Sequence, residues 1–296
     1  MRVGTVTHEG RDKVVAVLDE ASLIDLSDLF PDMVAMVEGG AAALAAARAR
    51  LAAGTPAIPM AQATMRCPIR PVQYRDCLVF ETHLKNSFAQ AEKMTGRPFA
   101  IPPVWYDQPI YYKGNRMSFI GHGEDVIWPA YAQFLDVELE LAIVIGRRGK
   151  DIPAAEAPGY IWGYTVLNDV SARDAQMREM PGQLGPAKGK DFDTGNILGP
   201  WIVTADEIAH PAALDMEVRV NGERWGGGNS REMQHDFARI IEHISASETL
   251  HPGEVIGSGT VGTGCGLEIG KRLAPGDLFE LTIEKIGTLA NRIVKA

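Results

Sequence analysis

The chain has 296 residues, of which 46% are hydrophobic and 23% charged, and its formal net charge is −9. These values fit a globular protein of one large domain or a domain with a small appendage, and an acidic chain without a basic block argues against a nucleic-acid or anionic-membrane surface. Cys67, Cys77 and Cys265 show no C-x-x-C spacing and leave one unpaired, so neither a zinc site nor a disulfide framework is indicated and a reducing, cytoplasmic setting fits.

The opening "MRVGTVTHEGRDKVVAVLDE" is strand-like and charged, unlike a signal segment, and no run approaches the roughly 18 apolar residues needed to span a bilayer. "RVGTVT" and "KVVAVLDE" read as two strands joined by the turn "HEGRD". "SLIDLSDLFPDMVAMVEGG" predicts a short strand and then a helix ended by Gly39 and Gly40, and "AAALAAARARLAAG" a second helix stopped at Gly54. "TPAIP" and "CPIRP" break regular structure, which places a boundary near residue 70 between a small N-terminal domain (1–70) and a larger one (71–296). "YRDCLVFETHLKNSFAQAEKMTG" starts apolar and turns helical, with Gly96 as its stop. Beyond it lie short strands between Gly, Pro and Asp turns: "DVIWP", "LDVELELAIVIG", "YIWGYTVLND", "GPWIVT", "LDMEVRVNGE" and "GDLFELTIEKIGTLANRIV"; only "REMQHDFARIIEHISAS" is clearly helical. The fold class is α+β, mainly β.

"LDVELELAIVIG" carries acids at alternate positions, Asp136, Glu138 and Glu140. In a strand these line one face, with Val137, Leu139 and Leu141 on the other. A half-exposed strand with a solvated acidic face is one reading. Against it, "AIVIG" is apolar on both faces, and like charges near a core need a cation or a proton.

Two more acids sit at element ends: Asp169 closes "YIWGYTVLND", and Asp76 precedes the helix with His83. Asp76, Glu138, Glu140 and Asp169 together would form a hard, all-oxygen cage for Mg²⁺ or Ca²⁺. Singly, each has an ordinary reading: Asp76 at a helix N-terminus, Asp169 in a turn, His83 on the surface or in the core. "GSGTVGTGCG" places Gly257, Gly259 and Gly262 at dinucleotide-loop spacing, but the helix that such a loop needs does not follow. Turns that let backbone approach a ligand are the better reading. No G-K-[ST] loop, G-x-S-x-G elbow or H-E-x-x-H stands in the chain.

From about residue 70 onward the chain resembles the fumarylacetoacetate hydrolase superfamily. "DCLVFETH" supplies an Asp and a His seven residues apart, "DVELELA" an E-x-E strand, "NDVSARDAQ" and "GKDFDTGNILGPWIV" the two most diagnostic segments, and "GSGT" a late Gly-Thr turn. The resemblance implies a mixed-sheet β-roll catalytic domain, a small N-terminal α/β domain and a homodimer. It implies a divalent metal, Mg²⁺ with Ca²⁺ or Mn²⁺ as alternatives, on Asp76, Glu138, Glu140 and Asp169. It implies His83, Glu268 and Lys190 as catalytic residues, and Arg173, Gln176, Tyr112 and Thr260 as substrate contacts, with Tyr111 adjacent to Tyr112.

The implied activity is hydrolysis of a C–C bond in a β-diketone or acylpyruvate-type acid through a metal-bound enolate, as in the catabolism of aromatic compounds. The alternative is a 2-oxo-acid decarboxylase, hydratase or isomerase on the same platform. The partner is a small oxo acid. Two departures carry information. Asn86 stands where some members place a Glu three residues after the His, so the partner of His83 is expected in Glu268. Leu78 and Met180 replace two phenols of the fumarylacetoacetate hydrolases themselves, so a less polar substrate tail is expected.

Overall fold

The computed structural model of the chain describes residues 1–209 and 213–295. Leu139–Ile145 and Ile161–Asp169, largely apolar on both faces apart from Glu140, Thr165, Asn168 and Asp169, are buried along their whole length and pair antiparallel at the centre of a mixed sheet. Asn196–Thr204 follows on one side, then Arg2–His8, Arg11–Val17, Ser22–Asp25 and Ala57–Pro59. On the other side Val255–Gly257 pairs antiparallel with Leu139–Ile145 and parallel with Tyr74–Cys77, and Tyr111–Lys113 closes the path. The N-terminal strands are thus hydrogen-bonded into the sheet that carries the acids. A second sheet, ordered Glu223–Asn229, Asp215–Val220, Leu278–Ile283, Gly287–Lys295 and Val126–Trp128, packs against the first across a core that includes Val218, Phe279, Leu281 and Leu289. The α+β, mainly β class holds. No helix among the described residues is long and apolar enough to cross a membrane.

Several elements differ from expectation for local reasons. Gly39 caps Met33–Glu38 and Gly54 caps the second helix as expected, but no loop separates the two helices: Gly40, at φ +54°, turns the chain straight into Gly40–Ala53. The later helix spans only Phe237–Ser245, because the Asp236 side chain accepts from Arg239 N and caps it there. Helix Glu81–Thr95 ends at Gly96 in the left-handed conformation, as its sequence predicts. Two short helices, Arg173–Glu179 and Ala187–Lys190, and the single turn Gly266–Ile269 were not legible as helices, and all three carry site residues.

Candidate metal centre and acid–base site

The acid strand is interrupted in a way that separates its acids. Leu135–Asp136 bridges to Ser171–Ala172, whereas Leu139–Ile145 belongs to the main sheet. Between them Glu138 N donates to the Asn168 side chain at 2.9 Å instead of to a strand. Asp136, Glu138 and Glu140 are all buried, so the solvated-face reading falls.

Glu140 meets Asp76 and Asp169. Oxygen atoms of these three buried carboxylates lie within 4.8 Å of one another. Strand order explains the meeting: Asp76 pairs in register with Gly257, and the strand of Gly257 lies beside that of Glu140, which lies beside that of Asp169. A Cβ on Gly257 would stand 2.3 Å from Asp76 Oδ1 and 2.8 Å from Glu140 Oε2, so the carboxylates occupy the space that its missing side chain leaves. Gly259 N donates to Glu140 Oε2 at 3.1 Å and, more weakly, to Asp76 Oδ1 at 3.3 Å. The glycine spacing of this turn therefore serves close approach to acids.

The electrostatics of the trio call for a cation. Burial pushes Asp76 up to about 8, with the charges of Asp169 and Glu138 adding to the effect. Burial, then Asp76, pushes Glu140 well above the ordinary carboxylate range. Asp169 is also raised by burial, against the pull of Lys190 and Tyr112. Among the described residues, Glu140 Oε1 and Asp169 Oδ1 are buried with no hydrogen-bond partner. Buried orphan oxygens on mutually repelling carboxylates match the all-oxygen ligation that a hard divalent ion requires.

Glu138 does not join the trio. Arg173 Nη1 lies 2.7 Å from Glu138 Oε1, and Lys190 Nζ donates to Glu138 Oε2. Burial opposes ionisation of Glu138, but Arg173 and Lys190, with His83 nearby, hold its carboxyl far below the ordinary range. Lys190 Nζ also reaches Asp169 Oδ2 at 2.7 Å, so Glu138 connects to the trio through this ammonium. Arg173 Nε donates to Asp136 Oδ2 at 3.0 Å and Nη1 to Gln176 Oε1 at 3.1 Å. Asp136 also accepts from Gly266 N and Leu267 N, at 2.8 and 2.9 Å. Asp136, Arg173, Glu138, Lys190 and Asp169 thus form a buried row of alternating charge. Arg173, expected to read a substrate carboxylate, is ion-paired with Asp136 and Glu138 in this row.

His83 Nδ1 lies 2.8 Å from Glu268 Oε1, the partner expected across the sequence. The other oxygen, Oε2, accepts from Thr263 N at 2.7 Å and Asn86 Nδ2 at 3.0 Å. Asn86 therefore holds the carboxylate that substitutes for the one missing at its own position. Because Glu268 accepts at Nδ1, neutral His83 carries its proton there and presents a basic Nε2. Cys265 Sγ sits 3.4 Å from Glu268 Oε1, a neighbour that its spacing in the sequence does not announce.

The remaining expected contacts spread out. Tyr112 OH donates to Asp169 Oδ2 at 2.7 Å, while Tyr111 packs edge-on to His243, which separates the two tyrosines. Thr260 is buried in the turn beside Gly259. Leu78 is half-buried, and its carbonyl accepts from Trp105 Nε1. Met180 is 48% exposed.

Comparison with known proteins agrees with this architecture. The family model described as fumarylacetoacetate (FAA) hydrolase C-terminal matches residues 80–294, beginning four positions after Asp76. The mitochondrial oxaloacetate tautomerase FAHD2A of Homo sapiens is 35% identical over 265 residues, 88% of this chain and 79% of that protein. Among solved structures, the fumarylacetoacetate hydrolase of the psychrophile Exiguobacterium antarcticum superposes with a TM-score of 0.80 at 26% identity over all of both chains. The 5-carboxymethyl-2-hydroxymuconate delta-isomerase of Mycobacterium smegmatis superposes at 0.75 with 27% identity, over 100% of this chain and 99% of that one.

Proposed function

This chain belongs to the fumarylacetoacetate hydrolase superfamily, and we propose that within it the chain is a divalent-metal-dependent enzyme that moves a proton on an enolisable 2-oxo acid, a tautomerase or isomerase. The observation that carries this reading is the engagement of the site's cations. Hydrolytic C–C cleavage needs donors that steady a developing oxyanion. Lys190 and Arg173, the residues expected to help there, both have their donors on Glu138, Asp169 and Asp136. Proton transfer asks less of the protein: one positioned base and one source of positive charge. His83 is that base.

Asp76, Glu140 and Asp169 would hold the ion, with Glu138 beside them; the hard set favours Mg²⁺, with Ca²⁺ or Mn²⁺ as alternatives. When bound, such an ion supplies positive charge next to the oxygens of a 2-oxo acid and so acidifies the neighbouring C–H. His83 Nε2 takes the proton from that carbon, and Glu268 steadies the imidazolium through Nδ1–H. The imidazolium then returns the proton to oxygen, or to another carbon of the conjugated system. Thr263 N and Asn86 keep Glu268 in place throughout. The relatives named tautomerase and isomerase support this order of preference.

C–C hydrolysis is the second reading, since the same dyad is also suited to taking a proton from water, and it was the first expectation from the sequence. The test is direct. Chelator-treated protein is reloaded with Mg²⁺ and given the enol form of oxaloacetate, and the decay of enol absorbance is followed. In parallel, acylpyruvates are supplied and products identified by mass spectrometry. Faster cleavage of an acylpyruvate than interconversion of the enol would transfer the assignment to the hydrolase reading. We also keep the homodimer as a proposal, tested by light scattering at micromolar concentration.

A further inference from the structure

Beside the hard carboxylate trio stands a second cluster of quite different chemistry. Cys265 Sγ and Glu268 Oε1, three residues apart at the turn Gly266–Ile269, meet His83 Nδ1 from the helix Glu81–Thr95, and all three residues are buried. Their mutual distances are 2.8 Å (His–Glu), 3.4 Å (Cys–Glu) and 4.0 Å (Cys–His). A tetrahedral zinc ion with bonds of about 2.0 Å to N and O and about 2.3 Å to S requires ligand–ligand edges of about 3.3 to 3.6 Å. The observed triangle brackets that face, and shifts of well under 1 Å bring it onto the ideal. We infer that Cys265, His83 and Glu268 form a second cation site, selective for borderline-soft ions such as Zn²⁺, and that its occupation silences the enzyme.

The ligand types set the selectivity. Thiolate, imidazole and carboxylate together suit Zn²⁺, Co²⁺ or Cd²⁺, whereas Mg²⁺ and Ca²⁺ take oxygen alone. The support is already built, because Glu268 Oε2 is anchored by Thr263 N and Asn86 and only Oε1 need turn to the ion.

The proton balance gives the inhibitory effect. The Cys265 thiol proton leaves to solvent as the ion binds sulfur. The imidazole proton moves from Nδ1 to Nε2, because Nδ1 now donates its lone pair to the ion. Glu268 stays ionised throughout. His83 remains neutral but presents N–H where it had presented a base. The silencing rests on the role proposed for His83; the binding does not.

The test separates the two. Co²⁺ is titrated into the protein in excess Mg²⁺, which keeps the carboxylate trio occupied. The expected result is a thiolate-to-cobalt charge-transfer band that saturates at one ion per chain, vanishes in Cys265→Ala and persists in Cys67→Ala and Cys77→Ala. Cys265→Ser, which keeps a small polar side chain but gives no such band, stands in if the alanine variant does not fold. Zn²⁺ should then inhibit enol interconversion by wild type, with at least about tenfold more needed to inhibit the Cys265 variant. Absence of the band, or its survival without Cys265, overturns the site. A normal band with no inhibition of an otherwise active enzyme keeps the site and removes His83 from the proton-transfer step.

Discussion

Replacing Arg173 with Leu tests whether its guanidinium serves the fold or the substrate. Arg173 is 3% exposed and faces two buried carboxylates, Asp136 at 0% and Glu138 at 5%. Removing one partner of a buried ion pair costs about 3–5 kcal/mol, because a charge is left in a poor solvent. Two losses here do not double the figure. Asp136 keeps the amides of Gly266 and Leu267, and Glu138 keeps Lys190. The expected loss is therefore about 3–5 kcal/mol for the pair, a fall in melting temperature of about 6–10 °C at about 2 °C per kcal/mol for a chain of this size. Urea unfolding followed by tryptophan fluorescence, with Mg²⁺ held constant, reads it. Asp136→Leu combined with Arg173→Leu should recover part of the loss, since the stranded carboxylate goes too. The reasoning is refuted if Arg173→Leu unfolds like wild type while KM rises steeply, the behaviour of a residue that grips a substrate carboxylate.

Three further outcomes are expected. His83→Ala should lose turnover by at least about a hundredfold and retain Mg²⁺ affinity by calorimetry, if His83 is, as proposed, a base outside the trio; Glu268→Gln should slow turnover without unfolding the chain. Gly257→Ala should weaken Mg²⁺ binding by at least tenfold (about 1.4 kcal/mol) in the same calorimeter, because its Cβ would displace Asp76 and Glu140. The third concerns pH. Asp76 is raised from 3.8 to about 8 and Glu140 is raised as well, so the folded chain binds more protons than the unfolded one between those values. Metal-free protein should therefore lose stability as pH rises from about 4 towards 8. Saturating Mg²⁺, which replaces those protons, should flatten this dependence in urea titrations at successive pH values.

The sequence reveals parts of this molecule that depend on pattern and hides parts that depend on tertiary partners. The central strands and the helix stop at Gly96 were readable from pattern; the His83–Glu268 pair was expected only through the family resemblance, which Asn86 in place of a Glu directed to Glu268. Glu138 was not readable in the same way. Period-two alternation puts it on one face with Glu140, but a hydrogen bond to the Asn168 side chain breaks the strand there and sends it to Arg173 and Lys190. The family resemblance offers Arg173 as a substrate contact and says nothing of Asp136, which lies against it. The helices Arg173–Glu179 and Ala187–Lys190 are too short for periodicity to mark. Cys265 stands three residues before Glu268, a spacing that matches no motif, and its other neighbour, His83, arrives from a distant part of the chain.

The parallel pairing of Tyr74–Cys77 with Val255–Gly257 leads us to expect an order of events when the chain folds. Asp76 and Gly257 stand 181 positions apart, and closing so long a loop is slow compared with forming the hairpins between neighbouring strands. Asp76 cannot take its place against Glu140 until that late strand docks. An ion held by the trio would then have nothing complete to bind early on, and would act as a lock on the finished sheet and not as a template for it. Refolding rates should be indifferent to Mg²⁺, and unfolding should slow as Mg²⁺ is added.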